Sequence, residues 1–291
     1  MVKGNVVKAV QGEKAWVTYA KHRIRDNQNF VAVITGETGS GKSYSALSYC
    51  LQIDPTFNPE KQVVFYFKDL MQLINDDEFH NRQWKIIMWD EIQIEMSNRK
   101  WQSKLNQSII QLLSTFRAQN IILIMTAPNK SMLDAQVKKL LHAEFKCKGF
   151  IKKTNLCKIM PRYCQYNPDK DRVYPHKLMH NRSGIGYIPV DNWYIGKAPK
   201  DVLKVYEDKK ARFNKDLNRK IESNITVVAE KVNDEGFDKT KKLMELYDKY
   251  GEDYIMINEE LPHLSLRTIV DRIREIKTAL AYRLPQPAVA P

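Results

Sequence analysis

Short apolar runs alternate with amphipathic stretches over the first half of the chain. Phe30-Val-Ala-Val-Ile34, Val63-Val-Phe-Tyr66, Lys85-Ile-Ile-Met-Trp89 and Ile121-Ile-Leu-Ile-Met125 are each too short for a helix, rich in β-branched or aromatic residues and bounded by polar ones. Such continuous runs predict central parallel strands. Between them, residues 42–52, 68–75 and 103–119 have helical patterning, and a further helix is expected over 13–25. Strand, helix, strand, helix is the order of an α/β sheet covered on both faces. From Ala143 to Trp193 the pattern changes to short alternating stretches broken by Gly, Pro and Asn, which predict antiparallel hairpins. Beyond Pro199 the chain turns charged and helical: an amphipathic segment at 201–218, a polar connector to 233 and a last piece at 238–282. There, helix 240–250 stops at Gly251, and Ser265 is placed to cap a helix carrying Leu266, Ile269, Val270, Ile273 and Ile276 opposite Arg267, Arg272, Arg274 and Lys277. Helix, turn, basic helix is the pattern of a helix-turn-helix or winged-helix module, or of a packing bundle with a charged outer face.

With 291 residues, 43% of them hydrophobic, the chain is long enough for two domains and excludes a disordered or collagen-like protein. No apolar run approaches a membrane span, and the first twenty residues lack the apolar core of a secretory signal, so a cytoplasmic protein without membrane insertion is expected. Four cysteines are too few for a disulfide framework. Cys157, Cys164, His176 and His180 raise the question of zinc, but six residues between the cysteines is a long spacing for a knuckle, and core cysteines are the alternative.

Charge sharpens the picture. The net charge is +13, and residues 130–200 hold most of the excess, with 15 basic against 5 acidic groups. Tyr163, Tyr166, Tyr174, Tyr187 and Trp193 lie among those cations, a mixture that suits a polynucleotide surface or a solvated face over aromatic core residues.

The chemistry is most explicit at Gly36-Glu-Thr-Gly39-Ser40-Gly41-Lys42-Ser43, which fits G-x-x-x-x-G-K-S/T between an expected strand and an expected helix. Its glycines let the backbone N–H groups turn inward onto phosphates, and the helix start adds partial positive charge. The nucleotide set is Gly36, Glu37, Thr38, Gly39, Ser40, Gly41, Lys42, Ser43 and Tyr44. Lys42 reaches for the β and γ phosphates, and Ser43 offers its hydroxyl to Mg²⁺. Asp90 and Glu91 follow an apolar strand: Asp90 suits the metal, and Glu91 suits polarising a water, which favours ATP hydrolysis over nucleotide binding alone. Thr126 ends the next apolar run and is a candidate for sensing the γ-phosphate or holding the water, or simply for capping. Arg117 and Arg99 are candidates for an arginine finger acting on a neighbouring subunit, or for surface salt bridges.

Together Gly36 to Ser43, Asp90-Glu91, Arg117, Thr126, Pro128 and Met132-Leu-Asp134 resemble the FtsK/HerA superfamily of P-loop DNA translocases. The likeness is nearest to archaeal plasmid and virus members, including genome-packaging and zonula-occludens-toxin-like ATPases, and covers roughly residues 30–145. Where many members end the fourth strand in Thr-Gln, this chain has Thr126-Ala127. The resemblance implies a RecA-like P-loop NTPase fold, ATP and Mg²⁺ as cofactors, Arg117 as the finger acting in trans, double-stranded DNA as partner and a hexameric ring. Expected domains are an ATPase core at 1–142, a basic β-hairpin extension at 143–199, a helical connector at 200–234 and a helix-turn-helix or winged-helix-like domain at 235–291. An AAA+ loader or initiator and a non-motor, ATP-switched DNA-binding regulator are the alternatives.

Overall fold

The computed structural model describes residues 2–96, 102–151, 153–182, 184, 186–262 and 264–283. The expected alternation is present in a mixed α/β arrangement with a mostly parallel central sheet. Strands β1 (Phe30–Thr35), β2 (Val63–Val64), β3 (Lys85–Trp89), β4 (Ile121–Ala127) and β5 (Ala143–Ile151) run parallel in the spatial order β5-β1-β4-β3-β2. Every residue of β1 and β4 is buried, because helices cover the sheet on both sides. β4 lies between the strand that feeds the glycine loop and the strand that ends in the acids. Its register sets Thr126 opposite Ile34 and Met125 opposite Trp89, so Thr126 arrives between the loop and Asp90.

The helices in this part are α1 (Val2–Arg25), α2 (Lys42–Ile53), α3 (Pro59–Gln62), α4 (Phe67–Ile74), α5 (Asp77–His80), α6 (Gln93–Met96), α7 (Gln102–Gln119) and α8 (Ala135–Lys139). On one face of the sheet, Leu70, Ile74, Phe79, Ile109, Leu113, Phe116 and Val137 pack against Val31, Ile87, Leu123 and Met125. On the other, Trp16 of α1 meets Phe145 edge to face at 4.9 Å, and Tyr49 of α2 donates its hydroxyl to the Trp16 carbonyl at 2.9 Å. The strand expected at 63–66 is only two residues long. Tyr66 is instead the extended residue from which α4 starts.

The antiparallel pairing expected from Ala143 onward is present, but most of it joins the main sheet. β5 pairs in parallel with β1 and, through its other edge, antiparallel with β6 (Leu156–Asn167), which carries β7 (Arg172–His176) and β10 (Trp193–Gly196). The main sheet thus continues into this segment, while β8 (Met179–Arg182) and β9 (Gly186–Pro189) form a separate two-stranded sheet. A register shift between Cys147 and Phe150, with Gly149 at φ 105, bulges β5 where it passes the glycine loop.

The chain divides into two compact units, residues 1–213 and 214–291. Helix α9 (Lys200–Tyr250) begins in the first and ends in the second, without the break expected after 218. In the second unit, Gly251 at φ 66 ends α9, its N–H reaching the Tyr247 carbonyl at 2.7 Å. α10 (Tyr254–Glu260) follows, and Ser265 caps α11 (Leu266–Arg283) by accepting from the Thr268 N–H at 3.2 Å. Leu243, Ile257, Leu261, Ile269 and Ile273 form its core, whereas Leu266, expected on that apolar side, is 44% exposed. The described residues of this unit are all-helical in their regular structure, so the wing of a winged helix is not seen.

Candidate functional site

Between β1 and α2 the chain turns through Gly39 and Gly41, at φ 78 and 91, conformations that favour glycine. At Gly41 a second constraint applies: a Cβ there would lie 2.2 Å from the Phe150 ring, which the β5 bulge aims at the loop. At Gly36 a Cβ would come within 2.6 Å of Ser40 Oγ and 2.9 Å of the Cys147 carbonyl. The Gly36 N–H donates to the Pro128 carbonyl at 3.2 Å and ties the loop to the end of β4. Lys42 folds back over the loop to donate to the Glu37 carbonyl at 2.9 Å. No side chain caps the start of α2, so its first N–H groups are left for an anion.

Asp90, at the tip of β3, is 0% exposed. A carboxylate buried so completely is tolerated only when its lone pairs are used. Here Ser43 Oγ and Thr126 Oγ1 donate to Oδ1 at 2.8 and 2.6 Å, and Tyr206 OH and Lys210 Nζ donate to Oδ2 at 2.7 and 2.9 Å. Glu91 has φ 58, an unusual conformation for a residue with a Cβ, and its N–H donates to Thr126 Oγ1 at 3.0 Å. Its carboxylate accepts from Lys210 Nζ at 3.0 Å and from Gln93 Nε2 at 2.5 Å. One threonine hydroxyl therefore holds the Asp90 carboxylate and the Glu91 backbone.

Burial alone would lower the Lys210 pKa, but Asp90 and Glu91 outweigh it and the net shift is upward, so the ammonium is secured. The Tyr206 hydroxyl is driven far above its ordinary range, first by burial and then by the Asp90 charge, and stays a donor. The start of α9 is fastened further: Lys209 Nζ reaches the carbonyls of Glu60 and Val63, Arg212 pairs with Glu60 at 2.6 Å, and Phe213 stacks on Phe65 at 4.2 Å. Tyr44 OH donates to Glu207 at 2.8 Å.

The structure thus brings together Ser43, Asp90, Glu91 and Thr126, with Lys42 on the adjoining loop. Arg117 is elsewhere. It is exposed near the end of α7, four residues before β4 starts, and lines a depression with Asn29, His142 and Tyr163 at the sheet edge opposite the loop. Arg99 lies outside the described residues. The structure does not gather the four zinc candidates: Cys157 and Cys164 are seven residues apart on β6, an odd spacing that sends them to opposite faces. Among the described residues no group of three His, Cys, Asp or Glu side chains is placed to hold a metal. Sequence reasoning missed Gln93, Tyr206 and Lys210. The i, i+4 spacing of Tyr206 and Lys210 marked a shared helix face, but not what that face would meet.

No protein-family model and no curated protein matches the chain. Among solved structures it is similar to the N-terminal domain of zonular occludens toxin from Neisseria meningitidis, at 20% identity over 52% of this chain and 95% of that chain, with a TM-score of 0.32. It is also similar to ATPases 2 and 3 of EssC from Geobacillus thermodenitrificans, at 13% identity over 67% of this chain and 45% of that chain (TM-score 0.32). A KaiC-like protein from Pyrococcus horikoshii is similar at 13% identity over 57% of this chain and 89% of that chain (TM-score 0.29). At such low identity and overlap, the chemistry is read from this chain's own residues. Among the described residues no helix is long and apolar enough to cross a membrane.

Proposed function

We propose that this protein is a Mg²⁺-dependent P-loop ATPase that acts as a motor on double-stranded DNA. The observation that carries the nucleotide reading is the 2.8 Å bond from Ser43 to Asp90, which joins the glycine loop to the acid-bearing strand. A hydroxyl that donates to a carboxylate still offers its own lone pairs, so Ser43 and Asp90 together present the hard oxygen donors Mg²⁺ takes. The metal would neutralise charge developing on the transferred phosphoryl oxygens. The backbone from Gly36 to Gly41 and the start of α2 hold the phosphates, and Lys42 swings from the Glu37 carbonyl to the β and γ oxygens. Glu91 orients the attacking water and accepts its proton, while Thr126 keeps Glu91 and Asp90 in register through one hydroxyl. Arg117 lies at the far edge of the sheet from its own loop, which supports a role on a neighbouring copy, as in the FtsK/HerA-type ring that the motifs resemble.

The DNA reading rests on charge. Exposed Lys146, Lys148, Lys153, Lys170, Arg172 and Lys177 belong to the segment with 15 basic and 5 acidic groups. Such a surface binds the phosphate backbone with steep salt dependence and little sequence preference. The test is phosphate release by wild type and Glu91→Gln, with and without long double-stranded DNA, alongside mass photometry. DNA-stimulated turnover by a ring, lost in a Glu91→Gln variant that still binds ATP, is the expected result. Failure to bind ATP overturns the nucleotide reading; DNA binding with negligible turnover and no ring overturns the motor and favours the ATP-switched regulator.

A further inference from the structure

The shell around Asp90 draws on three separate parts of the chain. Ser43 comes from the loop and Thr126 from β4, but the two donors to Oδ2 come from α9, 116 and 120 residues away in sequence. A carboxylate offers about four lone-pair sites, and these donors use all of them. A divalent cation engaging Asp90, directly or through water, needs at least one of those lone pairs, and it brings positive charge beside the Lys210 ammonium. Lys210 also spans to Glu91, so the two acids are bridged by one cation of the protein's own. Cation and ammonium draw on the same Asp90 carboxylate, and the ammonium holds Glu91 besides.

Resting on the nucleotide reading above, we infer that Lys210, seconded by Tyr206, is a positioning residue that holds Asp90 and Glu91 together and gives them up to metal-bound nucleotide. Filling the site then loosens the start of α9 from the acid pair. The same stretch is anchored to Glu60, Val63 and Phe65 around β2 and to Tyr44 at the start of α2, so release at Lys210 is passed to a helix already fastened to both elements.

The test measures binding of a fluorescent ATP analogue in Mg²⁺ and in EDTA, for wild type, Lys210→Met, Lys210→Arg and Tyr206→Phe. It is joined by hydrogen exchange across residues 205–212 of wild type. With the competing charge removed, Lys210→Met raises the ratio of Mg²⁺ to EDTA affinity about tenfold, a usual size for coupling between two occupants of one site. Lys210→Arg, which keeps the charge, stays within about twofold of wild type, and Tyr206→Phe moves the same way as Met by less. In wild type, exchange over 205–212 speeds up with nucleotide and Mg²⁺, and not with nucleotide in EDTA. An unchanged ratio in Lys210→Met overturns the inference, and so does a lowered one, which would mean that the ammonium contacts phosphate instead. If Lys210→Met does not fold, Tyr206→Phe and the wild-type exchange decide in the same terms. Binding by wild type with no Mg²⁺-dependent exchange defeats this inference alone; no binding by any of the proteins defeats the nucleotide reading as well.

Discussion

The two halves of the central sheet follow different rules. In the parallel half, β1 and β4 are buried at every position, and polar groups occur only at the strand ends, as Thr35, Thr126 and Asp90. In the antiparallel half, β6 buries Cys157, Ile159 and Pro161 and leaves Lys158, Met160 and Arg162 beside them partly exposed. The first half is a rigid frame whose only freedom is what it holds at its carboxyl edge. The second has a free face, where charge is carried without cost to the core.

Four experiments test that contrast. The largest effect belongs to the carboxyl edge: Lys42→Ala should lower ATP turnover by about 100- to 1,000-fold, read by phosphate release, with little change in melting temperature because the hydrogen bond lost, to the Glu37 carbonyl, is an exposed one. Next comes the frame itself. Ile124→Ala in the middle of β4 should cost about 2–5 kcal/mol in urea unfolding, and a smaller loss would mean that the parallel half is less tightly packed than its burial implies.

Third is the seam between the halves, where the His142 Nδ1 accepts the Val31 N–H at 3.0 Å. Burial first, then the Arg23 charge, lowers its pKa from 6.5 to about 3. The folded protein therefore keeps the ring neutral where the unfolded chain protonates it, so stability falls as pH drops through the window from 6.5 toward 3. His142→Gln should flatten that limb by about one proton in unfolding curves taken across the window. Smallest in stability are Lys153→Ala and Lys170→Ala on the antiparallel half, each expected within about 0.5 kcal/mol of wild type. Each should nevertheless reduce the slope of log affinity for double-stranded DNA against log salt by about one.

How much of this was legible in the sequence follows from distance along the chain. The glycine loop, its strand and its helix are contiguous, so motif and context could be read together, and the apolar runs ending in Asp90 and Thr126 announced themselves by length and composition. What the sequence did not disclose is pairing. The alternation after Ala143 marked strands, yet nothing local told that β5 would join β1 in parallel before turning back as half of a hairpin. Nor does the composition of 200–213 reveal that Tyr206 and Lys210 close on Asp90. Leu266 shows the same limit at smaller scale: its residue type suits a core, but Ile269 and Ile273 define the buried stripe of α11, and Leu266 falls beside it.

At Glu91 a residue with a Cβ held at φ 58 costs roughly 1–2 kcal/mol, which glycine would not. Glu91→Gly relieves that cost but also removes the carboxylate that accepts from Lys210 and Gln93, so its melting temperature should move little while, on the hydrolase reading, turnover is abolished. Anyone evolving this protein for heat tolerance by folding screens alone would let that substitution through as neutral. The screen would be retaining a molecule that has stopped working, and only a paired assay of turnover would expose the loss.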